Sequence, residues 1–388
     1  MIDVETLKFL LDIQNREKFL NQILIHLKEI NQIDFIKYEE YETYEGRIPI
    51  IIISKSQEIE ENKHVKIFIG AQHNEYNGLF GIIEFLNMIK NSEIAVDNIL
   101  LNQQVLIFAP LMNPYGFLNP RIDNKSGYYL KNGKNLNRYW RKTFIPDFEN
   151  NGNDLINRQL PEHTRIIKKL LEKYWVNQDI PIYILDFHET SLLERFTIDL
   201  VENLKKDSIT YKFSHWLKEA IINNIIKLYN IPYLRKPLFF KCNPDSNHTH
   251  INLTIKQLEI VYEKLQDYLS RNKKKLPFYF CYSNKSKDFC KCLAKNVYKK
   301  LKDVLWETCF PAFNHSHIDH GCFVNMNDVT VRPKVYSMEL ESQKQFFNIF
   351  DEIEKSKTES DYFNSKLEIM NHSIKLVIES INEMIFQF

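Results

Sequence analysis

Glycine is scarce in this chain, with 9 among 388 residues, well under the usual share of roughly 7%. That scarcity excludes collagen-like and flexible Gly-rich architectures, and the sequence holds no Gly-rich loop of the kind that cradles phosphates. Net charge is nearly absent too. Fifty-one basic residues (51) face 50 acidic ones, so nothing in the overall balance calls for a nucleic-acid partner. No apolar run approaches the roughly 18 residues of a membrane span. The opening Met1-Ile2-Asp3-Val4-Glu5 lacks the basic start and small-residue cleavage site of a secretory signal. These absences predict a cytoplasmic protein without membrane or nucleic-acid partners. Cysteine is sparse as well: Cys242, Cys281, Cys290, Cys292, Cys309 and Cys322 are spread through the second half, which favours free thiols over a disulfide framework. Cys290-Lys291-Cys292 with Cys281 lacks the paired spacing of a structural zinc site.

What the chain does have is apolar content, 44% of residues, enough to bury a sizeable core in one large α/β domain or two smaller ones. Residues 1–45 read as a helical prelude, with Leu7, Leu10, Leu11, Phe19, Leu20, Ile23, Leu24 and Leu27 at helical spacing. From Pro49 the character changes. Ile50–Ile53, Val65–Ile69, Val105–Ala109 and Ile182–Leu185 are short β-branched runs that read as buried strands. Helical patterns lie between them, one through Leu79, Ile82, Ile83, Leu86 and Ile89, another through Ile166, Ile167, Leu170 and Leu171. Residues 199–310 break this rhythm and read as a helical insertion, in which Arg271-Asn272-Lys273-Lys274-Lys275 is a solvated helix end. After a last strand from Val335 to Leu340, a stripe of Leu367, Met370, Ile374, Val377, Ile381 and Met384 marks a long terminal helix. Its stripe spans under three heptads, so it is expected to dock within the chain and not to form a coiled coil.

Strand ends are where α/β folds place their sites. One strand runs into Gln72-His73-Asn74-Glu75, another into Asp186-Phe187-His188-Glu189, and a third carries Glu339 and Glu341. Asn113-Pro114-Tyr115-Gly116, Arg121 and Asn135-Leu136-Asn137-Arg138 lie in intervening loops. Two histidines and a glutamate on separate strand ends suit a catalytic zinc, which takes three protein ligands and keeps one position for water. A further carboxylate suits a base, and two arginines suit a substrate carboxylate or a developing oxyanion.

The order of these segments, from about Ile67 to Glu341 and including Pro161-Glu162, resembles the zinc metallocarboxypeptidases of the M14 type. The resemblance implies that Glu75 and His188 are zinc ligands, that Glu339 is the general base, and that Asn137 with Arg138 anchors a C-terminal carboxylate. It gives Arg121 the scissile carbonyl. The sequence departs from the pattern at the first ligand, where the family position is Gln72 and His73 stands one residue late. Either His73 reaches the metal or Gln72 fills the slot of a weaker site. His73 is the expected ligand, because imidazole binds zinc far better than a neutral amide. Asn135 stands where the family has Asp.

The expectation is therefore a three-layer α/β/α sandwich with a mixed, mainly parallel twisted sheet. Residues 46–198 and 311–388 would form the catalytic domain, with 199–310 inserted. It would hold one zinc and hydrolyse a peptide or acylated amino acid beside a free carboxylate. An N-acyl amino-acid deacylase on the same fold, or a metal-free carboxylate-binding protein, are the alternatives. No sequence feature specifies an oligomeric state. The cluster His315, His317 and His320 reads as a surface or site-rim loop, and His248 and His250 as solvated.

Overall fold

The computed structural model describes residues 2–55, 64–100, 103–120, 127, 129–144, 160–174, 180–190, 241–243, 246–250, 278–305, 312–314, 334–344 and 359–387. Its strands are β1 (Ile36–Thr43), β2 (Gly46–Ile53), β3 (His64–Ala71), β4 (Gln104–Leu111), β5 (Ile182–Thr190), β6 (Lys241–Asn243), β7 (Ser246–His250), β8 (Tyr279–Tyr282), β9 (Ala312–Asn314) and β10 (Val335–Gln343). All but the β6–β7 pair join one sheet in the order β1-β2-β4-β3-β5-β10-β8-β9. Its centre, β4, β3, β5 and β10, is parallel; β1 runs antiparallel to β2, β2 to β4 and β8 to β10, while β9 runs parallel to β8.

The central strands are apolar on both faces, as strands covered on both sides must be. Val65, Ile67 and Ile69 of β3, Val105 and Ile107 of β4, and Ile182 and Ile184 of β5 pack into one cluster with Trp140, Ile167 and Leu171. The alternate residues, Phe68, Phe108, Leu185 and Phe187, belong to the cluster on the opposite face. There the covering helices are α1 (Val4–Leu11), α2 (Arg16–Glu29), α3 (Asn77–Lys90), the helix Lys287–Lys300 and the terminal helix Glu359–Gln387. The first face is covered by Trp140–Phe144 and Glu162–Tyr174. This is the expected three-layer sandwich.

Two differences from the sequence reading concern boundaries. The prelude is helical only to Gln32; Ile36–Thr43 is a strand, entered through Phe35 at φ 67°. Its Tyr and Thr residues favour a pleated edge, and full antiparallel register with β2, from Ile36↔Ile53 to Thr43↔Gly46, overrides the charged composition. The proposed insertion likewise does not stay outside the sheet. Tyr279–Tyr282 pairs with β10, and Cys290, Leu293, Ala294 and Val297 of the following helix are buried in the core. Its four residues are too short a run to stand out from the helical pattern around them. Cys281, Cys290 and Cys292 are free thiols. The stretch 271–275 and the histidines 315, 317 and 320 lie outside the described residues.

Two of the few glycines let α3 approach its neighbours closely, one facing the sheet and one the terminal helix. A Cβ at Gly78 would stand 2.5 Å from Phe187 Cβ on β5, and one at Gly81 would stand 2.3 Å from Val377 of the terminal helix. This close approach sets the N-terminus of α3 beside the tip of β5. The buried Arg16 of α2 holds the prelude to the same place, donating to the carbonyl oxygens of Leu10 and Phe117 and, at 3.1 Å, to Tyr76 Oη.

Lys66, 1% exposed in the middle of β3, donates from Nζ to the carbonyl of Ile385 at 3.0 Å. It thereby satisfies one of the orphan carbonyls at the end of the terminal helix. Burial pushes its ammonium down from the ordinary 10.5 to about 7. Between those values the unfolded chain binds a proton that the folded chain does not, so this group makes stability rise with pH from about 7 toward 10.5 and adds no slope below that window. Urea unfolding at pH values of about 7 and about 10 should show this rise. Lys66→Met should flatten it, and an unchanged slope in the variant would contradict the assignment.

Candidate metal centre

The two-residue period of a strand puts Ile182, Ile184, Asp186 and His188 on one face of β5. The first two are buried in the apolar layer with Trp140. The last two continue that face past the apolar layer, at the carboxyl end of the parallel sheet, where open α/β folds bind ligands. In register with Asp186 stand Glu339 of β10 on one side and Ile69 of β3 on the other. Three parallel strands thus deliver their C-terminal polar residues to one place. Asp186, His188 and Glu339 are 0%, 4% and 2% exposed.

At the centre is the His188 ring. Its Nε2 lies 2.9 Å from Asp186 Oδ2 and 3.2 Å from Glu339 Oε1, and its Nδ1 lies 2.9 Å from Glu75 Oε2. Gln72 donates from Nε2 to both oxygens of Asp186, at 2.7 and 2.6 Å, while its Oε1 accepts from Trp140 Nε1 at 2.7 Å. Asn137 donates to Glu339 Oε1 at 3.2 Å. Asn135 presents it, since the Asn135 side chain accepts from the backbone N–H of Asn137 and caps the turn Leu136–Arg138. Around the cluster, Glu189 accepts from the backbone N–H groups of Tyr76 and Asn77 at 2.6 and 2.7 Å, holding the start of α3. Asn77 reaches Ser342 Oγ at 2.9 Å, and Ser342 donates to the carbonyl of His188 at 3.2 Å. Lys344 donates to the carbonyl and side-chain oxygens of Asn74 at 3.1 and 2.9 Å.

Charge in so dry a place is expensive unless it is paired. Burial alone would lower His188, yet Asp186, Glu339 and Glu75 together hold it well above the ordinary histidine value. Burial would raise Glu75, but His188 outweighs it and keeps the carboxylate at about 2. Burial raises Asp186 and Glu339 and lifts Glu189 to about 7. His73 goes the other way: burial pushes it to about 3. Glu75, Asp186, Glu189 and Glu339 are all buried here, and so many carboxylate oxygens gathered in one place suit a cation.

The ligand atoms of Asp186, His188 and Glu339 all lie within 4.8 Å of one another, close enough to share one metal ion. Imidazole nitrogen and carboxylate oxygen are the donor types of a divalent transition metal such as zinc. Glu75 against the far nitrogen of His188 is the usual carboxylate–histidine support for such a ligand. The residues present therefore fit a metal.

This donor set differs from the trio His73, Glu75 and His188. Among the described residues His73 and Glu75 do not belong to it. Their rings and carboxylates are near, with His73 and His188 centroids 5.8 Å apart, but it is Gln72 whose side chain points at Asp186. Both side chains are buried, and the single-residue offset seen in the sequence sets Gln72, not His73, against Asp186. Asp186 is the ligand candidate that sequence reasoning missed, although its place two residues before His188 on a strand was the signal for it. Glu339, Asn137 and His188 come together as expected, and Arg138 lies against Asn137, donating to its carbonyl at 2.9 Å. Arg121 lies outside the described residues.

No family model and no curated protein matches the sequence. Solved structures similar to this one include metallocarboxypeptidases. A metallo-carboxypeptidase from Burkholderia cenocepacia has 11% identity and a TM-score of 0.44 over 93% of this chain and 68% of that one. One from Pseudomonas aeruginosa, in complex with (2-guanidinoethylmercapto)succinic acid, has 10% identity and a TM-score of 0.44 over 93% and 68%. Carboxypeptidase A from Helicoverpa armigera has 12% identity and a TM-score of 0.43 over 90% and 71%. At such distances the likeness assigns no activity to this chain.

The electrostatics give a direct expectation for metal-free protein. At neutral pH nitrogen NMR should find His188 protonated on both ring nitrogens and His73 neutral. A neutral His188 in metal-free protein would contradict the carboxylate clamp.

Proposed function

We propose that the protein is a metal-dependent hydrolase, cleaving a peptide or amide bond beside a free carboxylate, with one zinc held by Asp186, His188 and Glu339. The observation that supports this reading is the convergence of three buried donor atoms within 4.8 Å. A zinc ion bound there would polarise a carbonyl and lower the pKa of a bound water to about 7. The chain's own residues do the rest. Glu75 accepts from His188 Nδ1 and so would leave Nε2 free to hold a cation. Glu339 has a second oxygen to take a proton from water and return it to the leaving nitrogen. Asn137 keeps the carboxylate of Glu339 turned inward. Arg138, beside Asn137, supplies fixed charge for the substrate carboxylate, and the sequence resemblance would give Arg121 the task of stabilising the developing oxyanion.

Two further readings stay attached to the same site. A deacylase of N-acyl amino acids would use the same groups and differ only in preferring small acylated amino acids to peptides. The metal-free carboxylate-binding protein is favoured by one feature: both nitrogens of His188 already meet carboxylates, so an imidazolium supplies the positive charge without a metal.

Elemental mass spectrometry of chelator-treated and zinc-reloaded protein separates these. About one zinc per chain is expected, lost in His188→Ala together with hydrolysis of C-terminal peptides or acyl amino acids. Wild-type protein that takes no metal would favour the metal-free reading instead.

A further inference from the structure

Gln72 stands where the sequence resemblance expects an imidazole, and its amide has a fixed direction. An indole N–H can only donate. Trp140 Nε1 at 2.7 Å therefore claims the oxygen of Gln72, which leaves the amide nitrogen to face Asp186 at 2.7 and 2.6 Å. All three side chains are fully buried, each at 0% exposure, so water cannot substitute for any of these bonds. The same amide nitrogen comes 3.4 Å from His188 Nε2, so the tip of residue 72 touches the donor set and presents hydrogen to it. A neutral amide in this orientation cannot offer its oxygen to a cation. What it does is grip a carboxylate that has spare lone pairs, since an ionised Asp has about four acceptor sites and Gln72 uses two.

We infer that Asp186 is the substitute for the missing imidazole, and that Gln72, aimed by Trp140, is the positioning residue that holds Asp186 in the ligand shell. The inference rests on the metal-dependent reading above and extends it. It makes the change at residue 72 and the recruitment of an acidic residue from β5 two halves of one exchange. The centre becomes a two-carboxylate, one-histidine set, richer in oxygen than a site with two imidazoles.

Titrating cobalt(II) into the full chain, followed by visible absorption and calorimetry, tests this apart from activity. Wild type should bind. Gln72→Met, which keeps length and removes both donors, should bind about 10 to 100-fold more weakly, and Trp140→Phe, which frees the amide to turn, should weaken binding in the same direction. Asp186→Asn should lose binding. Adding Gln72→His to Asp186→Asn should restore it, with a changed cobalt spectrum as nitrogen replaces oxygen. Wild-type affinity in Asp186→Asn, or in both Gln72→Met and Trp140→Phe, would overturn the inference while leaving a metal site in place. A wild-type chain that takes no cobalt would overturn the metal-dependent reading and this inference together.

Discussion

Everything at this site depends on one buried imidazole held among carboxylates from three separate segments. His188 meets Glu75 through one nitrogen and Asp186 and Glu339 through the other. Removing the imidazole would leave three buried carboxylates without their shared partner, and breaking a buried charged pair costs about 3 to 5 kcal/mol. The pocket gathers carboxylate oxygens around one ring nitrogen, and the convergence of the Asp186, His188 and Glu339 donor atoms is the argument for a cation.

The rest of the fold can be read as the means of keeping those segments in place. The parallel pairing of β3, β5 and β10 fixes Ile69, Asp186 and Glu339 side by side. Gly78 allows α3 to sit directly on Phe187, and Glu189 and Asn77 then tie its first turn to β5 and β10. Farther out, Arg16 joins the N-terminal helices to Tyr76, the neighbour of Glu75. Lys66 joins the sheet to the end of the terminal helix. Each of these buried polar side chains connects elements far apart in sequence, and each lies in or beside the core that the apolar pattern builds.

The fold was largely legible in the sequence because its strongest signals are local. Runs such as Ile50–Ile53 and Val105–Ala109 can only be buried strands, and the stripe through Met370, Ile374, Val377 and Ile381 is buried as its period implies. Boundaries were harder: Ile36–Thr43 and Tyr279–Tyr282 become strands through long-range pairing, which composition does not encode. At the site, His188, Glu339 and Asn137 were found from their places at strand ends and loops. Gln72 and Asp186 were weighed differently by the structure, because which of two adjacent buried residues meets Asp186 depends on partners such as Trp140, about seventy residues away in sequence.

The central claim is that the cation belongs between β5 and β10. Anomalous diffraction at a metal absorption edge, from crystals of the full chain grown with zinc or cobalt, tests it most directly. The account predicts one peak bonded to Asp186, Glu339 and Nε2 of His188, with Gln72 held off through its amide nitrogen. A peak bonded instead to His73, Glu75 and Nδ1 of His188 would contradict it.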